Sequence, residues 1–111
     1  MMMPPSVNAM YRALGRRVIL SKPGRDFFRV TIPAIKYQAN GWRTSGRVAV
    51  LVRLYFPDRR RCDIDNRIKG CQDALTKAGI WADDVQVDDL RVLRMPVDKL
   101  NPRCDVEVTI L

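Results

Sequence analysis

The residues with the clearest capacity for chemistry lie in one stretch, Asp58-Arg59-Arg60-Arg61-Cys62-Asp63-Ile64-Asp65-Asn66. Three arginines run directly towards two aspartates one residue apart, and a second acidic pair, Asp83-Asp84, follows Trp81-Ala82. Guanidinium groups hold phosphate oxygens through paired N–H bonds. Carboxylates hold a hard divalent cation such as Mg2+ through oxygen. Phosphodiester hydrolysis needs both functions, because a carboxylate-held cation neutralises phosphate charge, activates water and stabilises the leaving oxygen. In an extended stretch, side chains two apart share a side, so Asp63 and Asp65 can face one ion. Lys69, one helical turn beyond Asp65, could neutralise the scissile phosphate or the developing oxyanion.

The same residues fit plainer roles. Asp65, Lys69, Asp73 and Lys77 alternate in sign at i, i+4 spacing, and such a ladder stabilises an exposed helix by ~0.2–0.5 kcal/mol per pair. Either Asp63 or Asp65 could cap a helix N-terminus. For Lys69 taken alone, the salt bridge is the stronger reading. What favours chemistry is that both aspartates sit at a loop-to-helix junction flanked by arginines.

The elements that must position these groups can be read from periodicity. Ile64, Ile68, Cys71, Leu75 and Ala78 recur at steps of four and three, which predicts a helix over 65–78, and Gly79 supplies its stop. That helix is about 20 Å long at 1.5 Å per residue. Gly79 to Asp84, fully extended, spans about the same distance. Asp84 therefore rejoins Asp65 only by a tight return, or a second copy of the chain completes the site.

Upstream, Pro4-Pro5-Ser6-Val7-Asn8 reads as a turn or extended entry, and Arg16–Leu20 as a short strand. Arg25 to about Gln38 turns helical, with Phe28, Ile32 and Ile35 on one face and Ser21 or a neighbour near its start; Pro33 predicts a kink or early break. Arg47–Phe56 alternates, with Val48, Val50, Val52 and Leu54 on one side, and is expected to be the central strand. Val87–Met95 and Asp105–Leu111 read as further strands joined by a hairpin connection over Pro96–Arg103. The expected architecture is α+β: a small mixed sheet of about four or five strands with two main helices on one face, in a single domain over residues 1–111.

Composition narrows the chemistry. The chain carries a net charge of +8, unevenly spread: residues 1–56 hold ten Lys/Arg and only Asp26 as an acid, while residues 57–111 hold ten Lys/Arg and eleven acids. A basic half beside a carboxylate-rich half suits a polyanion handled at a metal-binding centre. Histidine is absent, which removes the usual general base and the catalytic triads built on it. Cys62, Cys71 and Cys104 are odd in number and contain no Cys-x-x-Cys, so they read as reduced, partly buried thiols of a cytosolic protein, not as a disulfide frame or zinc site. No apolar run approaches the ~18 residues of a membrane helix, and no secretory signal is visible.

Arg12, Arg16, Arg17, Lys22 and Arg25 cluster in sequence and, with Arg59, Arg60 and Arg61, are expected to hold phosphates. Such contacts position nucleic acid without reading bases, so recognition of shape and a steep salt dependence follow. Tyr11, Trp42, Tyr55 and Trp81 are expected to pack in the core or an interface more than to stack on bases.

Several of these segments occur together in one known family. Pro4-Pro5-Ser6-Val7-Asn8 with Tyr11-Arg12, then Asp58–Asn66 with Lys69 and Asp73-Ala74-Leu75, then Gly79-Ile80-Trp81-Ala82-Asp83-Asp84-Val85-Gln86-Val87, closely resemble the RusA family of Holliday junction resolvases. The resemblance covers nearly the whole chain in the same order. It implies a homodimeric, Mg2+-dependent endonuclease, bacterial or phage-borne, that nicks four-way DNA junctions symmetrically. Carried over by position, the catalytic residues would be Asp63, Asp65, Lys69 and Asp84, with Asp83 beside the metal-holding carboxylates. Family members usually carry a short strand before the Pro-Pro-Ser segment, where this sequence has only Met1–Met3, so the sheet edge is expected to differ. The alternative is a module that binds structured nucleic acid without cutting, its acids serving as ion pairs and caps.

Overall fold

The computed structural model describes residues 1–111. Its centre is β3 (Val48–Tyr55), whose alternation is the one the sequence announces: Val48, Val50, Val52 and Leu54 are buried and the residues between them half-buried. β4 (Val87–Arg94) pairs with one edge of β3 in parallel and β5 (Arg103–Ile110) with the other in antiparallel. A parallel neighbour cannot be reached by a tight turn. The crossover is the segment between β3 and β4, which carries a 3₁₀ turn (Asp65–Arg67) and α3 (Ile68–Lys77).

This order corrects the expectation of a hairpin over Pro96–Arg103. That linker carries the chain past the end of β3 to its opposite edge, held by Met95 N–H to the Leu54 carbonyl and Asp98 N–H to the Phe56 carbonyl, each 2.9 Å. The strand count of five is met, but in two sheets: the mixed three-stranded sheet, and a separate hairpin of β1 (Tyr11–Leu14) and β2 (Arg17–Leu20) after a short α1 (Val7–Met10).

α2 (Lys22–Ala39) starts three residues earlier than the periodicity indicates, because Ser21 caps it, accepting from Gly24 N–H at 3.2 Å, and Pro23 fits the first turn. It also runs through Pro33 without a break. Proline there removes one intrahelical bond, but Phe27, Phe28, Thr31 and Ile35 remain buried along the inner face and keep the helix seated. Asn40 ends it in the left-handed conformation, φ 50°. α2 and α3 lie together over the valine face of β3, and Phe27, Phe28, Ile35, Ile68, Cys71, Leu75 and Trp81 join it in one apolar core.

Cys71 and Cys104 are fully buried there with Sγ atoms 3.8 Å apart, while Cys62 is half-buried. At the free edge of β5, Met2 bridges Arg103, Cys104 N–H donates to the Met1 carbonyl at 2.9 Å, and the Met1 ammonium donates to the Cys104 carbonyl at 2.7 Å. The residues before Pro4 contribute this one bridge to the sheet. No helix is long and apolar enough to cross a membrane.

Candidate active site

After α3 the chain turns back on itself, and the α3 charges it brings to bear on Asp84 are those of Asp73 and Lys69. Gly79 takes φ 81° after α3, and Ile80 N–H then bonds back to the Leu75 carbonyl at 3.1 Å. The Trp81 ring, 2% exposed, buries itself in the core while its Nε1 donates to Thr76 Oγ1 at 2.7 Å. Chain direction is thereby reversed along α3. Asp83 caps the next 3₁₀ turn (Asp84–Gln86), accepting from Val85 N–H at 3.0 Å. Gln86 locks the loop from beneath. Its Oε1 accepts from Ala82 N–H (2.9 Å) and Asp83 N–H (3.3 Å), and its Nε2 donates to the carbonyls of Thr44 (3.1 Å) and Gly46 (3.0 Å).

The return sets Asp84 beside the middle of α3. The Lys69 ammonium lies 3.4 Å from the Asp73 carboxylate and 5.4 Å over the Tyr11 ring, and the Tyr11 hydroxyl donates to Asp73. Charge on Asp73 and Lys69 also reaches Asp84. Four polar groups from three parts of the chain therefore share one surface: Tyr11 at the start of β1, Lys69 and Asp73 on α3, and Asp84 on the return loop. The Asp73 side chain is only 22% exposed, so its pair with Lys69 is less screened than a surface rung. Of the predicted i, i+4 ladder this is the rung that forms as an ion pair.

Electrostatics mark the same place. Asp84 is pushed above its ordinary 3.8, first by its hydrogen bond with Asp83, then by partial desolvation and the negative charges of Asp83 and Asp73, with Lys69 opposing. Asp83 is lowered, chiefly because Val85 N–H stabilises its charge. Tyr11 is raised by burial and by donating to Asp73. The sign for stability follows from Asp84: a folded-state value above the unfolded one gives stability that is present below about pH 4 and lost as pH rises through the raised value. A bound cation reverses that loss. In metal-free protein, carbon-detected NMR should show Asp84 titrating above the ordinary carboxylate range. Asp73→Asn should lower its midpoint, because a neighbouring negative charge is gone. A midpoint unmoved by Asp73→Asn would contradict their proximity.

The Asp63-Ile64-Asp65 motif is arranged differently from the expectation. Ile64 is helical (φ −71°, ψ −30°), not extended, so the two carboxylates are not set on one side by strand alternation. The cause is packing: half-buried Ile64 joins the core margin and immediately begins the 3₁₀ turn. Neither of the caps at this junction makes a side-chain hydrogen bond, which removes the plain N-cap reading. Asp63 opens into a polar cleft with Ser6, Arg61, Asn66 and Arg67, and Asp65 is exposed on the 3₁₀ turn. Arg67, to which no role attaches from sequence alone, ties this turn to the entry segment by donating to the Pro4 carbonyl at 2.8 Å.

The arginines preceding the motif are exposed and lie along a cavity of about 290 Å³ shared with Phe56 and Arg94. Arg94, from the end of β4, stacks on Phe56 at 5.0 Å and donates to the Cys62 carbonyl at 2.5 Å, which anchors the loop carrying Arg59, Arg60 and Arg61. Arg12, Arg16 and Arg17 are exposed on the β1–β2 hairpin, and Lys22 pairs with Asp26 at 2.8 Å. Among the aromatics, Trp81 is core as expected, Tyr55 lies under the Arg103 guanidinium at 3.9 Å, and Trp42 lines an apolar cavity. Tyr11 packs against the core as expected, and its hydroxyl in addition donates to Asp73. Asp73 was readable only as a ladder partner. Its position one turn beyond Lys69 was the available signal, but nothing local showed that Tyr11 and Asp84 would meet it.

The carboxylate oxygens of Asp63, Asp65, Asp83 and Asp84, in a chain without histidine, suit a hard divalent cation; the free Cys62 thiol lines the same cleft as Asp63. The raised Asp84 is the mark of negative charge that a cation would relieve. No three acidic groups stand together in a metal-holding arrangement.

The chain is similar over most of its length to known proteins. The family model described as Endodeoxyribonuclease RusA matches residues 2–109. A protein of Shigella sonnei (strain Ss046) named "Crossover junction endodeoxyribonuclease RusA" is 42% identical over 96 residues, covering 86% of this chain and 80% of its own length. Proteins of the same name from Escherichia coli (strain K12) and from Enterobacteria phage 82 match with the same identity and coverage. With the family model matched over residues 2–109 and relatives 42% identical over most of their length, the chain belongs to the RusA endodeoxyribonuclease family.

Proposed function

We propose that this protein is a structure-specific endodeoxyribonuclease that resolves Holliday junctions by paired, symmetric, Mg2+-dependent nicks. The observation that carries the reading is the joining of Lys69, Asp73 and Asp84 on one surface, downstream of an arginine-rich loop, in a chain 42% identical to crossover junction endodeoxyribonucleases. Asp63, Asp65 and Asp84 would hold the divalent cation, with Asp83 fixing the Asp84 loop and adding negative potential. When bound, the cation supplies a polarised phosphate and an activated water. Lys69, oriented by Asp73, places positive charge where the phosphate oxygens gather negative charge in the transition state. Arg59, Arg60 and Arg61 hold the phosphates of the strand entering the site, and Arg12, Arg16, Arg17 and Lys22 hold a neighbouring arm.

A four-way junction presents two equivalent strands related by a two-fold axis, so we take the working unit to be a homodimer with one site per strand. Light scattering should give the mass of two chains, and a monomer that cleaves would overturn this. The bacterial and phage origin of the relatives supports a cytoplasmic site of action, beside the DNA.

The test is cleavage of a labelled synthetic four-way junction. The native protein should nick opposing strands symmetrically with Mg2+ and stop on chelation. Asp65→Asn should bind the junction and leave it intact. Binding that persists with no cleavage by the native protein at any divalent cation would favour the non-catalytic module instead.

A further inference from the structure

Residues 11–20 leave the body of the protein and return to it as the β1–β2 hairpin. The base of that excursion is pinned. Ser21 donates to the Met10 carbonyl twice, from its backbone N–H at 2.8 Å and its hydroxyl at 2.9 Å, and Arg25 Nη1 donates to the Leu20 carbonyl at 2.9 Å. A Cβ on Gly24 would stand 2.6 Å from the Met10 carbonyl oxygen, so glycine is what lets α2 close on the hairpin base. Beyond the base, β1 and β2 pair only with each other, and every residue from Arg12 to Val18 is exposed. The turn is compact: Gly15 takes φ 61° while Arg16 does not take a positive φ, the type II′ arrangement that matches strand twist.

The hairpin has two unlike faces. Directly opposed residues share a face, so Tyr11/Leu20 and Ala13/Val18 form one, and Arg12/Ile19 and Leu14/Arg17 the other. The first carries no charge: at its base Tyr11 and Leu20 are half-buried against the core, and beyond them Ala13 and Val18 are exposed, Val18 by 73%. The second carries two arginines, and Arg16 stands at the tip. There is no acidic residue between Met1 and Arg25. An uncharged face backed by cations fits DNA whose base faces are uncovered while its phosphates remain close. An intact duplex offers no such place, whereas the centre of a four-way junction, where stacking is interrupted, does. Apolar side chains entering between base steps are a known means of holding distorted DNA.

We propose that the β1–β2 hairpin reads the branch point, its uncharged face packing on bases exposed at the junction centre while Arg12, Arg16 and Arg17 clamp the flanking phosphates. Tyr11 joins the two functions, because the strand begins at the residue whose hydroxyl bonds Asp73 of the acidic cluster. From Tyr11 to Leu14 the strand covers about 10 Å at ~3.4 Å per residue, or about three base steps. The nick is therefore set within a few nucleotides of the branch. This inference rests on the nuclease reading above.

It is tested with 2-aminopurine placed at the branch of a synthetic junction, in chelator so that no cleavage occurs. Native protein should raise the fluorescence as the base unstacks. Val18→Ser should remove most of that rise and cut the preference for junction over duplex by about tenfold. Val18→Ile should keep both. Arg12→Gln with Arg17→Gln should instead weaken junction and duplex alike and reduce the salt slope by about two. A native complex with no fluorescence rise, or a Val18→Ser protein that keeps its preference or loses junction and duplex binding equally, overturns the proposal. Cleavage without a rise removes the branch-reading hairpin alone; a native protein that neither binds nor cuts junctions removes the nuclease reading with it.

Discussion

Asp84→Asn is expected to lower junction cleavage by on the order of 10²–10³-fold or more while leaving the fold intact. The reason for the separation is in the site's own charges. Asp84 is exposed, makes no contact on which the core depends, and is held above its ordinary value by Asp83 and Asp73. Asparagine removes a carboxylate oxygen from the cation's donor set and at the same time relieves that repulsion. Thermal stability in metal-free buffer should therefore hold or rise slightly. Metal-free junction binding should hold or tighten, because one negative charge beside the phosphates has gone. Cleavage should fall regardless of Mg2+ concentration within the usual range. Calorimetric melting, binding in chelator and single-turnover cleavage separate the three quantities. Cleavage within tenfold of native would take Asp84 out of the site.

Gln86→Leu should have the largest effect on the site from a residue that touches no substrate. One buried amide serves four backbone groups, two N–H of the acidic loop and two carbonyls of the segment leading into β3. Leucine has similar volume and serves none. Those groups would regain water only in part, so a loss of about 2–4 kcal/mol is expected. At about 4–8 °C per kcal/mol for a chain of this size, the melting temperature should drop by about 8–30 °C. The acidic loop would also lose its floor, and cleavage below the melting temperature should fall more than ten-fold. A variant melting within 3 °C of native would show that the four bonds contribute little.

These consequences were only partly legible in the sequence. β3 was, because valine alternation encodes a half-buried strand in its own residues, and so was α3, whose apolar face repeats every three or four residues. What could not be read is what one element does to another. Parallel and antiparallel neighbours on the two edges of β3 leave no trace in the composition of Pro96–Arg103, which serves equally as a hairpin or a crossing. Pro33 looks like a break because the packing of Phe28 and Ile35 that outweighs it belongs to the tertiary structure. The hairpin half Tyr11–Leu14 is too short and too exposed to carry a hydrophobic period. At the site, the residue types Asp, Lys and Arg announced phosphate chemistry, and the Trp81–Val87 motif now has a physical reading: Trp81 anchors, Asp83 caps, Asp84 projects and Gln86 braces. The extended geometry of Asp63–Asp65 did not survive, because Ile64 had to reach the core. Asp73 and Tyr11 entered the site through contacts 62 residues apart in the chain.

The central position of β3 has a consequence for biosynthesis. Both strands that flank it are made after it, and the last, β5, ends at Ile110. While the chain is still growing, β3 has two bare edges and an apolar face without its sheet. At about 5–20 residues per second, the interval between emergence of β3 and of β5 is several seconds. Through that interval Gln86 can already reach the Thr44 and Gly46 carbonyls, which precede β3. The edge of β3 that β5 covers, by contrast, stays open to pairing elsewhere until Arg103–Ile110 emerges.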